Sequence, residues 1–141
     1  MHSNFAVEAV HAQCRATKQI AGMKTLSYEQ RLRKLKLPTL AFRRLRGDAI
    51  EVFKILNKHY DIEARHFFEL SESHTRGHSL KINRPAVTRR TRLHSFSYRV
   101  IKTWNELPES VVSSTTVNMF KNRLDKHWDN HPLKYEVHPT A

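Results

Sequence analysis

Apolar residues recur at three- and four-residue intervals along much of the chain, the spacing that lays side chains on one face of an α-helix. Ala6, Val10, Cys14, Thr17 and Ala21 form the first row, and Gly22 is placed to close that helix in a left-handed cap. Ser27-Tyr28-Glu29-Gln30 has the form of a capping box ahead of Leu32 and Leu35, so a short second helix is expected to start at Ser27. Pro38 ends it. Thr39 then offers an N-cap hydroxyl to the best helical pattern in the chain, whose stripe is Leu45, Ala49, Val52, Phe53, Leu56 and Tyr60. Gly47 lies inside this helix at a cost of roughly 1 kcal/mol relative to alanine, which implies close packing against another helix.

Residues 61–94 break the regularity, with Gly77 and Pro85 as punctuation. Ser79-Leu80-Lys81-Ile82 alternates with a period of two, which admits a short hairpin between residues 79–82 and about 91–94. Ser95 is placed to cap a further helix with Phe96, Val100, Ile101 and Trp104 inward, ended by Pro108. Thr115 or Thr116 caps a last helix with Val117, Phe120, Leu124 and Trp128 on one side. Residues 130–141 have no period and contain Pro132 and Pro139, so they are expected to fray. The expected fold is mainly α: a small domain of about five helices over residues 1–129 with a flexible tail over 130–141.

Charge changes the picture. The chain carries +12, and two blocks supply it: residues 15–46 hold +9, and residues 76–102 hold +8 with no acid among them. Like charges at helical neighbour spacing repel, so blocks without local compensation call for an external anion, and phosphodiester is the commonest in a cell. The 39% of hydrophobic residues is enough for a modest core and argues against wholesale disorder. A single cysteine, Cys14, rules out an intrachain disulfide and zinc sites built on cysteine pairs. No apolar run approaches the ~20 residues that a bilayer requires, and no secretory signal opens the chain, so an intracellular, membrane-free location is expected.

Catalytic chemistry is hard to place. Gly22, Gly47 and Gly77 stand far apart, which excludes a glycine-rich phosphate loop. Asp48 and Glu51 fall on the polar side of the third helix beside Arg44 and Lys54, and read as a salt-bridged solvent face rather than metal ligands. His74 and His78 are four apart but lack the glutamate of a zincin, and read as loop histidines. Cys14 has His11 three residues before it, yet lies on the apolar row and reads as a packed thiol. What stands out is arginine beside hydroxyl and aromatic residues between Arg89 and Arg99. Arginine forks bind phosphate at two points, and Tyr98 is the surface aromatic that could stack on a base. The expected nucleic-acid contacts are Arg43, Arg44, Arg46, Arg89, Arg90, Arg92, Arg99 and Tyr98, acting on the backbone of RNA or DNA; no cofactor, metal or catalytic residue is expected.

Several runs resemble a known family. Gln13-Cys14-Arg15-Ala16-Thr17-Lys18, Leu26-Ser27-Tyr28-Glu29-Gln30-Arg31-Leu32, Leu37-Pro38-Thr39-Leu40 and Arg43-Arg44-Leu45-Arg46-Gly47-Asp48 are similar to the segment downstream of the polymerase domain in animal non-LTR, LINE-type retrotransposon reverse transcriptases. Thr75-Arg76-Gly77-His78-Ser79, Arg99-Val100-Ile101-Lys102-Thr103-Trp104-Asn105-Glu106-Leu107-Pro108 and Phe120-Lys121-Asn122-Arg123-Leu124-Asp125-Lys126-His127-Trp128 follow in the family's order. The resemblance spans about residues 13–128; arginine commonly stands in the family where Cys14 stands here.

The resemblance implies a fragment of an RNA-directed DNA polymerase from a transposable element. Its aromatic-x-Asp-Asp signature has no counterpart, because no two aspartates are adjacent in this chain. Polymerase and endonuclease activity are therefore not expected. The implied role is a non-catalytic module on RNA or DNA; the alternative is an inert structural domain that docks on a polymerase core.

Overall fold

The computed structural model describes residues 2–72, 76–84 and 96–137, and the side chains of these except residues 2–6 and 97. Among the described residues there are six α-helices: α1 (His2–Lys18), α2 (Tyr28–Leu35), α3 (Leu40–Leu56), α4 (Phe96–Asn105), α5 (Glu109–Val112) and α6 (Val117–His127). Single 3-10 turns occupy Ala64–His66 and Pro132–Lys134. The protein is mainly helical and has no sheet among the described residues. Two compact units divide it, one drawn from Met1–Arg44 with Asn130–Ala141, the other from Leu45–Asp129.

In the first unit α1 packs on α2, and Met23, Leu32 and Phe42 are buried. The capping box forms as expected: the Gln30 N–H donates to Ser27 Oγ at 3.2 Å, and the Ser27 N–H donates to Gln30 Oε1 at 2.9 Å. α2 ends in a Schellman motif, with the Leu37 N–H on the Leu32 carbonyl at 3.0 Å and Lys36 at φ 54°, a left-handed position that glycine usually holds. Thr39 caps α3 through its Oγ1, which accepts the Phe42 N–H at 3.1 Å. α1 is shorter than its apolar row. It ends at Lys18, Ala21 is exposed, and Gly22 takes φ 78° in the following turn, which carries Met23 into the core.

Of the expected frayed tail, residues 130–137 are instead built into this unit. Pro132 opens a 3-10 turn, and His131 Nδ1 accepts the Leu133 N–H at 3.1 Å. The Thr39 N–H donates to the Lys134 carbonyl at 2.8 Å, and the Thr39 hydroxyl donates to the Leu133 carbonyl. The His131 ring lies 5.7 Å from that of Phe42, and the Val137 N–H donates to Glu29 Oε1 at 2.9 Å. The buried backbone at Thr39 needs acceptors, and the returning chain supplies them.

In the second unit Ala49, Val52, Phe53, Val100, Ile101, Trp104, Phe120, Leu124 and Trp128 are buried as their periodicity predicts, joined by Ile50, Ile55, Phe68 and Ile82. Phe53 stacks on Phe120 at 4.3 Å between centroids, with Trp104 5.9 Å from Phe120. Thr116 caps α6, its Oγ1 accepting the Met119 N–H at 3.1 Å. Three expectations change. Tyr60 lies beyond the end of α3 and is 37% exposed. A Cβ on Gly47 would meet nothing within 4 Å, so no neighbouring helix presses on that glycine. Residues 79–82 do find a partner, but in residues 69–71: Leu70 and Ile82 form a single antiparallel bridge, flanked by Ser71 N–H to Lys81 O at 2.8 Å and Asn83 N–H to Glu69 O at 2.7 Å. The expected partner run at 91–94 and the Ser95 cap lie outside the described residues. Pro108, placed at the end of α4, is the N-cap of the additional short helix α5, which packs on α6.

Candidate nucleic-acid interface

Arg43 and Arg44 are the fourth and fifth residues of α3 within the first unit, both exposed and neither in an ion pair among the described residues. Five further cations of that unit share this condition: Arg15, Lys18, Lys24, Lys34 and Lys36. Against nine lysines and arginines, the stretch 1–44 has only Glu8 and Glu29, and residues 130–141 add one base and one acid. Glu29 accepts the Val137 N–H. Glu136 approaches Arg33 at 3.9 Å, with both side chains about half exposed, a separation and exposure at which an ion pair contributes little.

Arg31 belongs by sequence to the same basic block, yet it is buried at 4% exposure and makes no ion pair among the described residues. Its Nε donates to Thr17 Oγ1 at 3.1 Å, Nη1 to the Leu26 carbonyl at 2.7 Å, and Nη2 to the Cys14 carbonyl and sulfur at 3.3 and 3.1 Å. The guanidinium thus sits at the C-terminal turns of α1, where the helix dipole is negative. Cys14 is half-buried as an acceptor in this lock. Tyr28 closes the cluster through Gln13; burial, then the neighbouring Cys14, pushes its hydroxyl pKa up, while Arg31 and Arg43 oppose the shift.

Arg46 and Arg99 are placed differently. Arg46 holds Asp125 at two points, Nε to Oδ1 at 2.6 Å and Nη2 to Oδ2 at 2.9 Å. Arg99 holds Asp48 in the same way, at 2.8 and 2.9 Å. A fork engaged at two points by a carboxylate is not open to a phosphate without breaking that pair. Asp48 therefore pairs with a residue 51 positions away and not with Arg44 on its own helix. Glu51 does pair locally, with Lys54 at 3.2 Å, and accepts the Tyr60 hydroxyl at 2.7 Å; that hydroxyl is the first cause that holds its carboxyl below the usual range.

Tyr98 accepts Arg84 Nε at 3.1 Å on its hydroxyl, and the Arg84 guanidinium lies 5.5 Å from the ring centroid, so one ring face carries a cation of the chain itself. Arg89, Arg90 and Arg92 lie outside the described residues, as does His74. Among the described residues no group of three metal-ligating side chains forms, and no helix is long and apolar enough to cross a membrane.

Comparison of the chain with protein-family models, with curated proteins and with solved structures returns no match.

Two of the runs that carry the resemblance meet in the second unit, a juxtaposition that no local pattern signals. His78, expected in a loop, does lie outside the helices but is 3% exposed. Its Nε2 bonds the Trp104 carbonyl at 2.9 Å, its Nδ1 accepts the Leu80 N–H at 3.1 Å, and its ring stands edge-on to the Trp104 indole. The Trp104 indole N–H donates to the Leu80 carbonyl at 2.8 Å. Asn105 brackets Ile82 with an accepted and a donated bond of 2.9 and 2.8 Å, and Glu109 accepts the Ser79 N–H and hydroxyl at 2.6 and 3.0 Å. Residues 78–82 are thereby clasped to the C-terminal end of α4. The clasp is built of hydrogen bonds between side chains and backbone of residues 78–82, Trp104 and Asn105.

Proposed function

We propose that the chain is a non-catalytic helical module that binds the phosphodiester backbone of RNA or DNA, in the setting the resemblance implies, the C-terminal part of a retrotransposon-encoded reverse transcriptase. One observation carries this reading: seven exposed cations of the first unit have no carboxylate partner among the described residues. Self-repulsion of such a surface is relieved when a polyanion displaces its own counterions onto the solvent. Arg43 and Arg44 are the contacts expected to matter most among those named from the sequence, because Arg46 and Arg99 are engaged by Asp125 and Asp48.

The test is titration of a labelled RNA–DNA hybrid at several salt concentrations. If all seven cations meet phosphate, log K against log salt should have a slope of about −6, and Arg43→Ala with Arg44→Ala should make it shallower by about 2. Affinity indifferent to salt refutes the reading. Absence of binding in about 50 mM salt by a chain that melts cooperatively points to the second reading, a structural domain that docks on a polymerase core. The clasp favours that second reading, since it commits the residues of two resembling runs to internal bonds.

A further inference from the structure

The segment after α3 leaves four large apolar side chains partly exposed within eleven residues: Tyr60 at 37%, its ring 5.7 Å from the Lys54 ammonium, Ile62 at 45%, Phe67 at 42% and Leu70 at 44%. Single exposed apolar residues are ordinary on any surface, but a concentration of this kind marks contact surfaces. The segment is not exposed by fraying. The Phe67 and Phe68 N–H groups both donate to the Ala64 carbonyl, at 3.0 and 2.8 Å. Phe68 is buried with its ring 6.2 Å from Phe96, and Leu70 is held in the bridge to Ile82. Phe68 roots the segment while Phe67 before it is exposed.

The electrostatics of this surface oppose those of the whole chain. Asp61, Glu63, Glu69 and Glu72 are all exposed, and Arg65 is the sole lysine or arginine from residue 60 to 72, so the segment carries −3 in a protein of +12. Arg65 is itself taken up by Glu63. Asp61, Glu69 and Glu72 make no ion pair among the described residues. A nucleic acid is repelled by such a surface, and an acidic protein equally so.

We propose that residues 60–72 form a docking surface for a basic, apolar protein segment, an amphipathic helix with lysine or arginine beside leucine or phenylalanine. The apolar side chains supply the area to be buried, and the three carboxylates without an ion pair among the described residues select the sign of the partner and raise its encounter rate. The proposal rests on residues other than the cations proposed for nucleic acid and does not depend on them.

The test uses the full isotope-labelled chain at about 150 mM salt, titrated with a synthetic amphipathic lysine–leucine peptide and with its glutamate–leucine counterpart. The lysine–leucine peptide is expected to shift the amide signals of residues 60–72, and the other peptide is expected to leave them unmoved. Ile62→Ser with Phe67→Ser, and separately Glu69→Lys with Glu72→Lys, should each weaken binding by about tenfold or more, while leaving the melting temperature and hybrid affinity unchanged. Equal binding of both peptides, shifts confined to other residues, or no binding overturns the proposal. So does self-association by sedimentation that Ile62→Ser with Phe67→Ser abolishes, since the occupant is then a second copy.

Discussion

Acidification should loosen the clasp at His78, and the structure sets both the sign and the scale of the effect. In the folded chain the ring is neutral by construction: Nε2–H donates to the Trp104 carbonyl, and Nδ1 must be unprotonated to accept the Leu80 N–H. A second proton would turn Nδ1 into a donor facing a donor. Burial is the main cause that lowers the pKa from its ordinary 6.5; the bond to the Trp104 carbonyl and the charge of Glu109 oppose it, and Lys81 adds to it. The folded state thus binds this proton less readily than the unfolded chain does. Its contribution to stability is full above 6.5 and is lost as pH falls from there toward the lowered folded value. The loss is about 1.4 kcal/mol for each unit by which folding depresses the pKa, and the local slope cannot exceed about 1.4 kcal/mol per pH unit. With ten histidines in the chain, the total pH dependence does not isolate one of them. The assay is therefore urea unfolding at several pH values for the natural chain and for His78→Gln, which does not titrate. The two stabilities should differ by a constant above about pH 7 and converge as pH falls below 6.5. Curves that stay parallel down to about pH 5 would refute the assignment of the neutral, clasped ring.

Other consequences are as specific. The Asp48–Arg99 pair is largely shielded, at 18% and 30% side-chain exposure, whereas Arg33–Glu136 is open at 55% and 49%. Double-mutant cycles with Asp48→Asn and Arg99→Gln should give a coupling of about 1–3 kcal/mol, against about 0–1 for the open pair, and equal couplings would show that shielding is irrelevant here. Gly47→Ala, with open space where the Cβ would go and no left-handed φ, should raise stability by about 0.4–1 kcal/mol in thermal or urea melts; a loss would mean an unseen neighbour. Deleting residues 132–141 takes away both carbonyls that accept from Thr39, so hydrogen exchange should quicken at α2 and the first turn of α3 by a free energy of about 1–3 kcal/mol and leave α6 unchanged. Unchanged protection at Thr39 would return the tail to the status of a loose end.

The five longer helices and three of their caps were legible because they are local. Ser27, Thr39 and Thr116 each bond an amide three residues ahead, an interaction that a short window of sequence contains in full. Ala49, Val52 and Phe53 of α3, Val100, Ile101 and Trp104 of α4, and Phe120 and Leu124 of α6 are buried as helical spacing predicts. Gly22 misled as a helix end because left-handed φ marks a turn without saying whether a helix precedes it directly. The tail misled because absence of period in 130–137 says nothing of hydrogen bonds made to a residue more than ninety positions earlier.

Sequence by itself determined that this chain would be helical and basic, since propensity, period and net charge are sums over neighbours or over the whole chain. Which cations face solvent was decided only in three dimensions. Arg31, Arg46 and Arg99 look alike in the sequence, yet one is buried under carbonyls and two are forked onto carboxylates 79 and 51 residues distant. The same holds for His78 and Trp104, brought into one hydrogen-bonded clasp across 26 residues. A charged or polar side chain takes the partner that folding places against it, and that partner is chosen by the packing of the helices that carry both.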